Sequence, residues 1–195
     1  MNKFLYAHVS MKNGCYQHRI IWPFRWTAVD YPELDFDLSM TDPVGNYSYF
    51  LTHGSPPIND FLYIGKWKRG GGKWILSIDD DYFNIPEWST AHLSEDQKDL
   101  FYGCFDLADV IIASTPSLAA AINKPDKTLV APNLMQVDDY GVQTVAESRP
   151  NELVRIVWAG GTTHSGDFID IEPAIDSILK KWHGKVEFLF MGYCP

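Results

Sequence analysis

An α/β fold, with a mainly parallel sheet covered by helices on both faces, is what this sequence predicts, on three observations. Short apolar runs alternate with stretches of helical apolar spacing along most of the chain, the order that crossover connections between parallel strands require. The central run, Lys73 to Ile78 (KWILSI), is almost continuously apolar, as strands buried on both faces are. The composition, 46% hydrophobic and 21% charged over 195 residues, belongs to a folded chain. It is long enough for one domain, or one and part of a second.

Taken in order, Lys3 to Val9 (KFLYAHV) is the first strand, closing in a turn that contains Gly14. Tyr16 to Val29 places Ile20, Ile21, Phe24 and Ala28 at helical spacing, with Pro23 expected to kink the helix. Asp35 to Met40 and Tyr47 to Thr52 are short strands, and Ile58 to Lys68 is a helix closed by Gly70 to Gly72. After the strand Lys73 to Ile78, Ser94 and Gln97 fit a capping box for a helix reaching about Leu107. Val110 to Ala113 is the next strand. Thr115 then caps a short helix with Pro116 in its first position. Thr128 to Ala131 is a further strand. From Met135 to Pro150 periodicity is lost, as in a linker. One βαβ unit follows: strand Arg155 to Ala159, loop Gly160 to Asp167, helix from about Ile171 to Trp182, strand Val186 to Met191.

The charge balance narrows the function. A formal net charge of −9 weighs against sequence-independent binding to nucleic acid or to an anionic membrane. No apolar stretch reaches the roughly 20 residues of a membrane span, and Met1-Asn2-Lys3 does not open a signal peptide. Cys15, Cys104 and Cys194 are far apart, without CxxC or Cys/His metal spacing. They read as reduced thiols, and the chain as cytoplasmic. Aromatic residues make up 14%, enough to line a cleft for ring-shaped ligands, although most such residues serve as core.

In an open parallel sheet, ligands bind beyond the carboxyl ends of the strands. Four stretches stand there in this sequence: Gly14, Asp79 to Asp81, Ser114-Thr115, and Gly160 to His164. Three consecutive carboxylates raise one another's pKa, so their clustering needs a reason. They can be a Mg²⁺ or Mn²⁺ site, a substrate-binding or catalytic edge, or a solvated polar loop in which one aspartate caps a turn. A phospho-acceptor of the receiver type needs further acids near the first strand, and Ser10-Met11-Lys12 supplies none. Gly160-Gly161-Thr162-Thr163-His164 lets the backbone approach a ligand and offers amides and hydroxyls to a diphosphate near a helix start. It is neither GxGxxG nor a P-loop, and an ordinary tight turn would read the same.

The stretches "GCYQHRIIWPF", "KWILSIDDDYFNIP", "LADVIIAST", "KTLVAPN", "VRIVWAGGTTHSGDF", "IEPAIDSILKKW" and "VEFLFMG" stand in the order seen in group 1 glycosyltransferases of GT-B architecture. The first resembles the glycine turn and arginine-containing helix of a bacterial and phage-like branch. The resemblance covers nearly the whole chain from Lys3. It implies two Rossmann-like domains and transfer of a sugar from a nucleotide-sugar donor, with no metal and no cofactor beyond that donor. Asp79 and Asp80 would be catalytic, standing where many relatives carry a histidine-aspartate pair, with the histidine missing here. Gly160, Gly161, Thr162, Thr163 and His164 would face the donor diphosphate. Gly14, Arg19, Asp81, Ser114 and Thr115 would lie on the acceptor side.

The same resemblance divides the chain into an acceptor-side domain (1–135), a linker (136–150) and the first βαβ unit of a donor-binding domain (151–195). The later parts of that second domain, including a paired-glutamate motif, are not in this sequence, and Glu172 and Glu187 do not substitute for it. The chain therefore reads as truncated. Its expected partners are the donor, an acceptor of unknown type, and either a second copy or a missing second half to cover Ile156, Val157, Phe188 and Leu189. A non-catalytic binding or assembly protein, derived from a truncated glycosyltransferase domain, is the alternative.

Overall fold

The computed structural model describes residues 3–8, 14–39, 47–54, 58–89, 91–133, 153–161 and 164–192. The expected linker, the turn at Ser10 to Lys12, and Thr162, Thr163 and Cys194 lie outside them. The chain divides into two compact units, Met1–Asp81 with Glu95–Tyr140, and Tyr82–Ser94 with Gly141–Pro195.

The first unit is Rossmann-like. Its strands are β1 (Lys3–His8), β2 (Phe36–Ser39), β3 (Tyr47–His53), β4 (Lys73–Ile78), β5 (Val110–Ala113) and β6 (Thr128–Val130). They form one sheet in the order β2-β1-β3-β4-β5-β6, with every neighbouring pair parallel. After β1 the chain crosses to one side for β2, then to the other for β3, so the topological switch point lies between β1 and β3. That is where sheets of this kind open a crevice for ligands.

β4 is central, and its residues Trp74, Leu76, Ser77 and Ile78 are buried. Trp74 carries a polar atom into that core and satisfies it, its Nε1–H donating to Thr52 Oγ1 at 3.0 Å. Tyr6 and Phe50 stack across β1 and β3 with centroids 5.4 Å apart. The helix α4 (Glu95–Leu107) buries Phe101, Cys104 and Phe105, which share one face at helical spacing. α5 (Pro116–Ile122) begins as expected: Thr115 Oγ1 accepts from Leu118 N, and Pro116 occupies the first turn. It ends at Asn123 in the left-handed region, φ 53°, which asparagine adopts more readily than most residues.

The helix expected from Tyr16 to Val29 is really three pieces: α1 (Gly14–Tyr16), a π-helical turn (Gln17–Ile21) and α2 (Trp22–Asp30). Pro23 has no N–H to return to the preceding turn. The helix widens just before it, with Trp22 N–H reaching Gln17 O. Widened turns of this kind are frequent at functional sites, and this one carries Arg19.

The second unit contains β7 (Val154–Gly160), α6 (Ser165–Lys181) and β8 (Val186–Gly192), with α3 (Ile58–Arg69) belonging to the first unit. β7 and β8 pair in parallel. α6 starts about six residues before the expected Ile171. Ser165-Gly166 is a poor helix start by propensity, and Pro173 lies inside the helix. Phe168 reverses that, packing its ring against Trp158, Phe188 and Phe190 with centroids 5.1 to 6.2 Å away. Tertiary packing overrides propensity here.

Candidate functional site

The carboxyl ends of β3 and β4, beside the switch point, gather a buried polar cluster. Strand register sets it. His53 is the last residue of β3 and pairs with Ser77 of β4, two positions before Asp79. Gly54, at φ 70°, turns the chain away and donates its N–H to Ser77 O at 2.9 Å. The His53 and Asp79 side chains are only 4% and 7% exposed, with His53 Nε2 3.2 Å from Asp79 Oδ1. Asp79 Oδ1 is fully enclosed, yet receives no well-directed hydrogen bond.

The other elements fix this pair. Ser114, just past β5, donates its Oγ–H to Asp79 O at 3.0 Å and its N–H to Ile78 O at 3.1 Å. Tyr16 donates its hydroxyl to His53 O at 2.9 Å and sets its ring edge-on to the imidazole. The other imidazole nitrogen, His53 Nδ1, is 3.4 Å from Ser77 Oγ. Cys15, half-buried, brings its thiol to the same carboxylate.

Arg19 is buried and spans the strand ends. Its Nε donates to Ser77 Oγ at 3.2 Å, one terminal nitrogen to Ile112 O at 3.3 Å, and the other to Ala131 O and to Asn133 Oδ1. These bonds tie the ends of β4, β5 and β6 together. Burial pushes the guanidinium below its ordinary pKa, against the nearby charge of Asp79.

Electrostatics keep Asp79 ionised. Burial pushes its carboxyl upward, but the His53 side chain, the Cys15 thiol and the Arg19 charge outweigh that and hold it below its ordinary value. Cys15 responds in the opposite sense. Burial, then the charges of Asp79 and Asp80 and the contact with Asp79, push its thiol up to about 12. An ionised, enclosed carboxylate beside an imidazole can take a proton from a hydroxyl brought against it.

Of the expected site residues, Arg19, Asp79 and Ser114 meet in this cluster. Gly14 opens the helix that carries Cys15 and Arg19. Asp80 is exposed and Asp81 half-buried, and Thr115 is occupied in capping α5. Gly160, Gly161 and His164 belong to the second unit. A side-chain Cβ at Gly160 would fall 2.5 Å from the Trp158 indole, so a larger residue there would have to displace that ring. Gly161 has open space around it. His164 is exposed and its Nδ1 lies 2.8 Å from Asp167 Oδ2.

His53, Cys15, Tyr16 and Ser77 were not expected. The signal for His53 was one residue away: the strand read as ending at Thr52 runs one position further and delivers the histidine beside β4. A larger cavity, about 810 Å³, sits at the opposite end of the sheet, among Tyr49, Tyr63, Lys66, Trp67 and Lys73, away from this cluster. No protein-family model matches the chain, and no curated protein matches it in sequence.

Proposed function

We propose that this chain is a glycosyltransferase of GT-B type that transfers a sugar from a nucleotide-sugar donor to an acceptor hydroxyl. The observation that carries this reading is the enclosed His53–Asp79 pair beside the switch point of a parallel sheet. The motif order suggested this chemistry with a histidine missing beside Asp79; His53 provides one from the neighbouring strand.

In this mechanism Asp79 accepts the proton of the acceptor hydroxyl as that oxygen attacks the anomeric carbon. The bond from that carbon to the donor phosphate oxygen breaks, and the electron pair leaves with the nucleoside diphosphate. His53 positions Asp79, both its ring nitrogens facing protein groups. Asp80, exposed, has room to contact the acceptor. The loop from Gly160 to His164, with Thr162 and Thr163 within it, is the candidate to face the diphosphate, through the backbone at Gly161 above all.

The test is release of nucleoside diphosphate from a panel of nucleotide sugars, with the wild type and with Asp79→Asn and Asp80→Asn. Asp79→Asn should lower turnover about 100-fold or more, with an unchanged circular dichroism spectrum. Asp80→Asn should cost less. Undiminished turnover in Asp79→Asn would remove Asp79 from the mechanism. Donor binding without turnover in the wild type would favour the non-catalytic binding or assembly role instead.

A further inference from the structure

We propose that Cys15 Sγ, His53 Nε2 and Asp79 Oδ1 form a site for one zinc ion, with a fourth position left open. The three ligand atoms come from separate elements, the helix after β1 and the ends of β3 and β4, and all lie within 4.8 Å of one another. Ligands about 2.0 to 2.3 Å from a tetrahedral zinc stand roughly 3.3 to 3.6 Å apart. The observed 3.2 Å between His53 Nε2 and Asp79 Oδ1 is close to that spacing.

The second observation is independent of proximity. Asp79 Oδ1 is enclosed and without a directed hydrogen bond, although its side chain is only 7% exposed. An ionised carboxylate this enclosed is costly to bury, and a cation at the centre of this triad offsets that cost. The ligand set selects the metal: thiolate, imidazole and carboxylate together suit zinc, whereas magnesium and calcium take oxygen alone.

The surroundings also fit. A histidine bound to metal through Nε2 needs an acceptor for its Nδ1–H, and Ser77 Oγ lies 3.4 Å from that nitrogen. Arg19 Nε holds the same Ser77 oxygen. Among the described residues, the charged and titratable groups at the site include Asp79, Asp80, His53, Cys15, Tyr16 and Arg19. The guanidinium, the one permanent cation among them, makes its hydrogen bonds with residues 77, 112, 131 and 133. The charges of Asp79 and Asp80 beside Cys15 form a negative field that attracts a dication. Binding converts the thiol to a thiolate and releases one proton, so affinity rises with pH.

The zinc site does not rest on the sugar-transfer reading. Where Asp79 is the base of that reaction, zinc occupies it and blocks transfer, so occupancy and activity are measured separately. The whole chain, stripped with chelator, is titrated with Zn²⁺ alone in a calorimeter, and with Co²⁺ as a spectroscopic reporter. The expected result is one ion per chain, release of one proton, and a thiolate-to-cobalt charge-transfer band with the strong visible absorption of tetrahedral cobalt. Since even an outer-shell partner is worth about 10- to 100-fold in affinity, Cys15→Ser and Asp79→Asn should each weaken binding by at least that much. Cys15→Ser should also abolish the charge-transfer band. Cys104→Ala, distant and buried in the α4 face, should leave both intact. His53→Gln keeps a buried polar group of similar reach, and its melting curve separates lost ligation from lost fold. Absence of saturable one-to-one uptake, or wild-type affinity and spectrum in Cys15→Ser, would overturn the proposal.

Discussion

At the end of β4 and at the end of β7 an apolar strand gives way abruptly to small or polar residues, Asp79 to Asp81 in one and Gly161 to His164 in the other. Their surroundings differ. Past β4, Asp79 is enclosed and meets groups from β3, from the helix after β1 and from the end of β5. Past β7, His164 is 56% exposed and its partner Asp167 lies three residues along the same segment. β4 has strands on both sides; among the described residues β7 pairs with β8 alone. A strand end becomes a site when its neighbours also end there with usable chemistry. A parallel sheet of six strands supplies such neighbours, and a pair of strands does not.

The sharpest way to break this contrast is to remove the residue that joins the neighbours. Arg19→Ala leaves Ile112 O, Ala131 O and Ser77 Oγ without their donor at the strand ends. Ala131 is exposed, so water can replace the donor there. The two acceptors on the strands, at about 1 kcal/mol or more each, predict a loss near about 2 kcal/mol, visible as a lower midpoint in denaturant. Arg19→Lys should recover only part, since one ammonium cannot span three strand ends. A loss below about 1 kcal/mol would mean that the strand ends hold their places without it.

The next effect is one of pH. Asp79 has a folded-state pKa depressed below its ordinary carboxylate value. Its contribution to stability is therefore present in full above the unfolded value, near 3.9. It is lost as pH falls from there through the lower folded value. Asp79→Asn removes that portion, so its stability should decline less steeply than the wild type's below about pH 4. Some slope remains, because Asp109, where burial pushes upward but Lys68 and the Trp74 amide prevail, is also held low. Parallel acid-denaturation curves for the two proteins would show that Asp79 draws no stabilisation from its cluster.

Most of the sheet was legible because its signals are local. Lys73 to Ile78 and Val110 to Ala113 were read with their observed bounds, since a buried parallel strand is an apolar run and its ends are marked by charge or turn residues. α5 was legible for the same reason, with cap and first-turn proline adjacent in sequence. The site was less so. Asp79 announced itself as part of a carboxylate triplet, but nothing near it in sequence points to His53 or Cys15. Their meeting depends on strand order and register, which periodicity does not encode. The widened turn at Gln17–Ile21 was equally hidden: Pro23 predicted a kink, and the helix took up the missing hydrogen bond by changing its pitch. The early start of α6 was lost because Phe168 is read as an anchor only once its partners in β7 and β8 are in place.

A smaller effect separates capping from ligand contact at Thr115. Its Oγ1 accepts from Leu118 N at 3.1 Å, so Thr115→Ala should cost about 1 kcal/mol as the loss of a helix cap. Thr115→Ser, which keeps the hydroxyl, should cost little. Equal losses in both would assign the effect to the lost methyl group. A fall in turnover with stability unchanged would return Thr115 to the acceptor side.

The smallest effect is expected in the loop after β7, and for that reason it tests the comparison best. His164 and Asp167 are a solvent-exposed pair at the start of α6, and such pairs contribute well under about 1 kcal/mol, less as salt rises. His164→Ala should therefore shift stability by no more than about 0.5 kcal/mol. If the loop meets a donor diphosphate, the same variant should raise KM for the donor while leaving kcat close to wild type, because uniform binding is lost and transition-state binding is not. A large stability loss in His164→Ala would instead mean that this loop, like the one after β4, is held by partners beyond its own segment, and the contrast between the two strand ends would disappear.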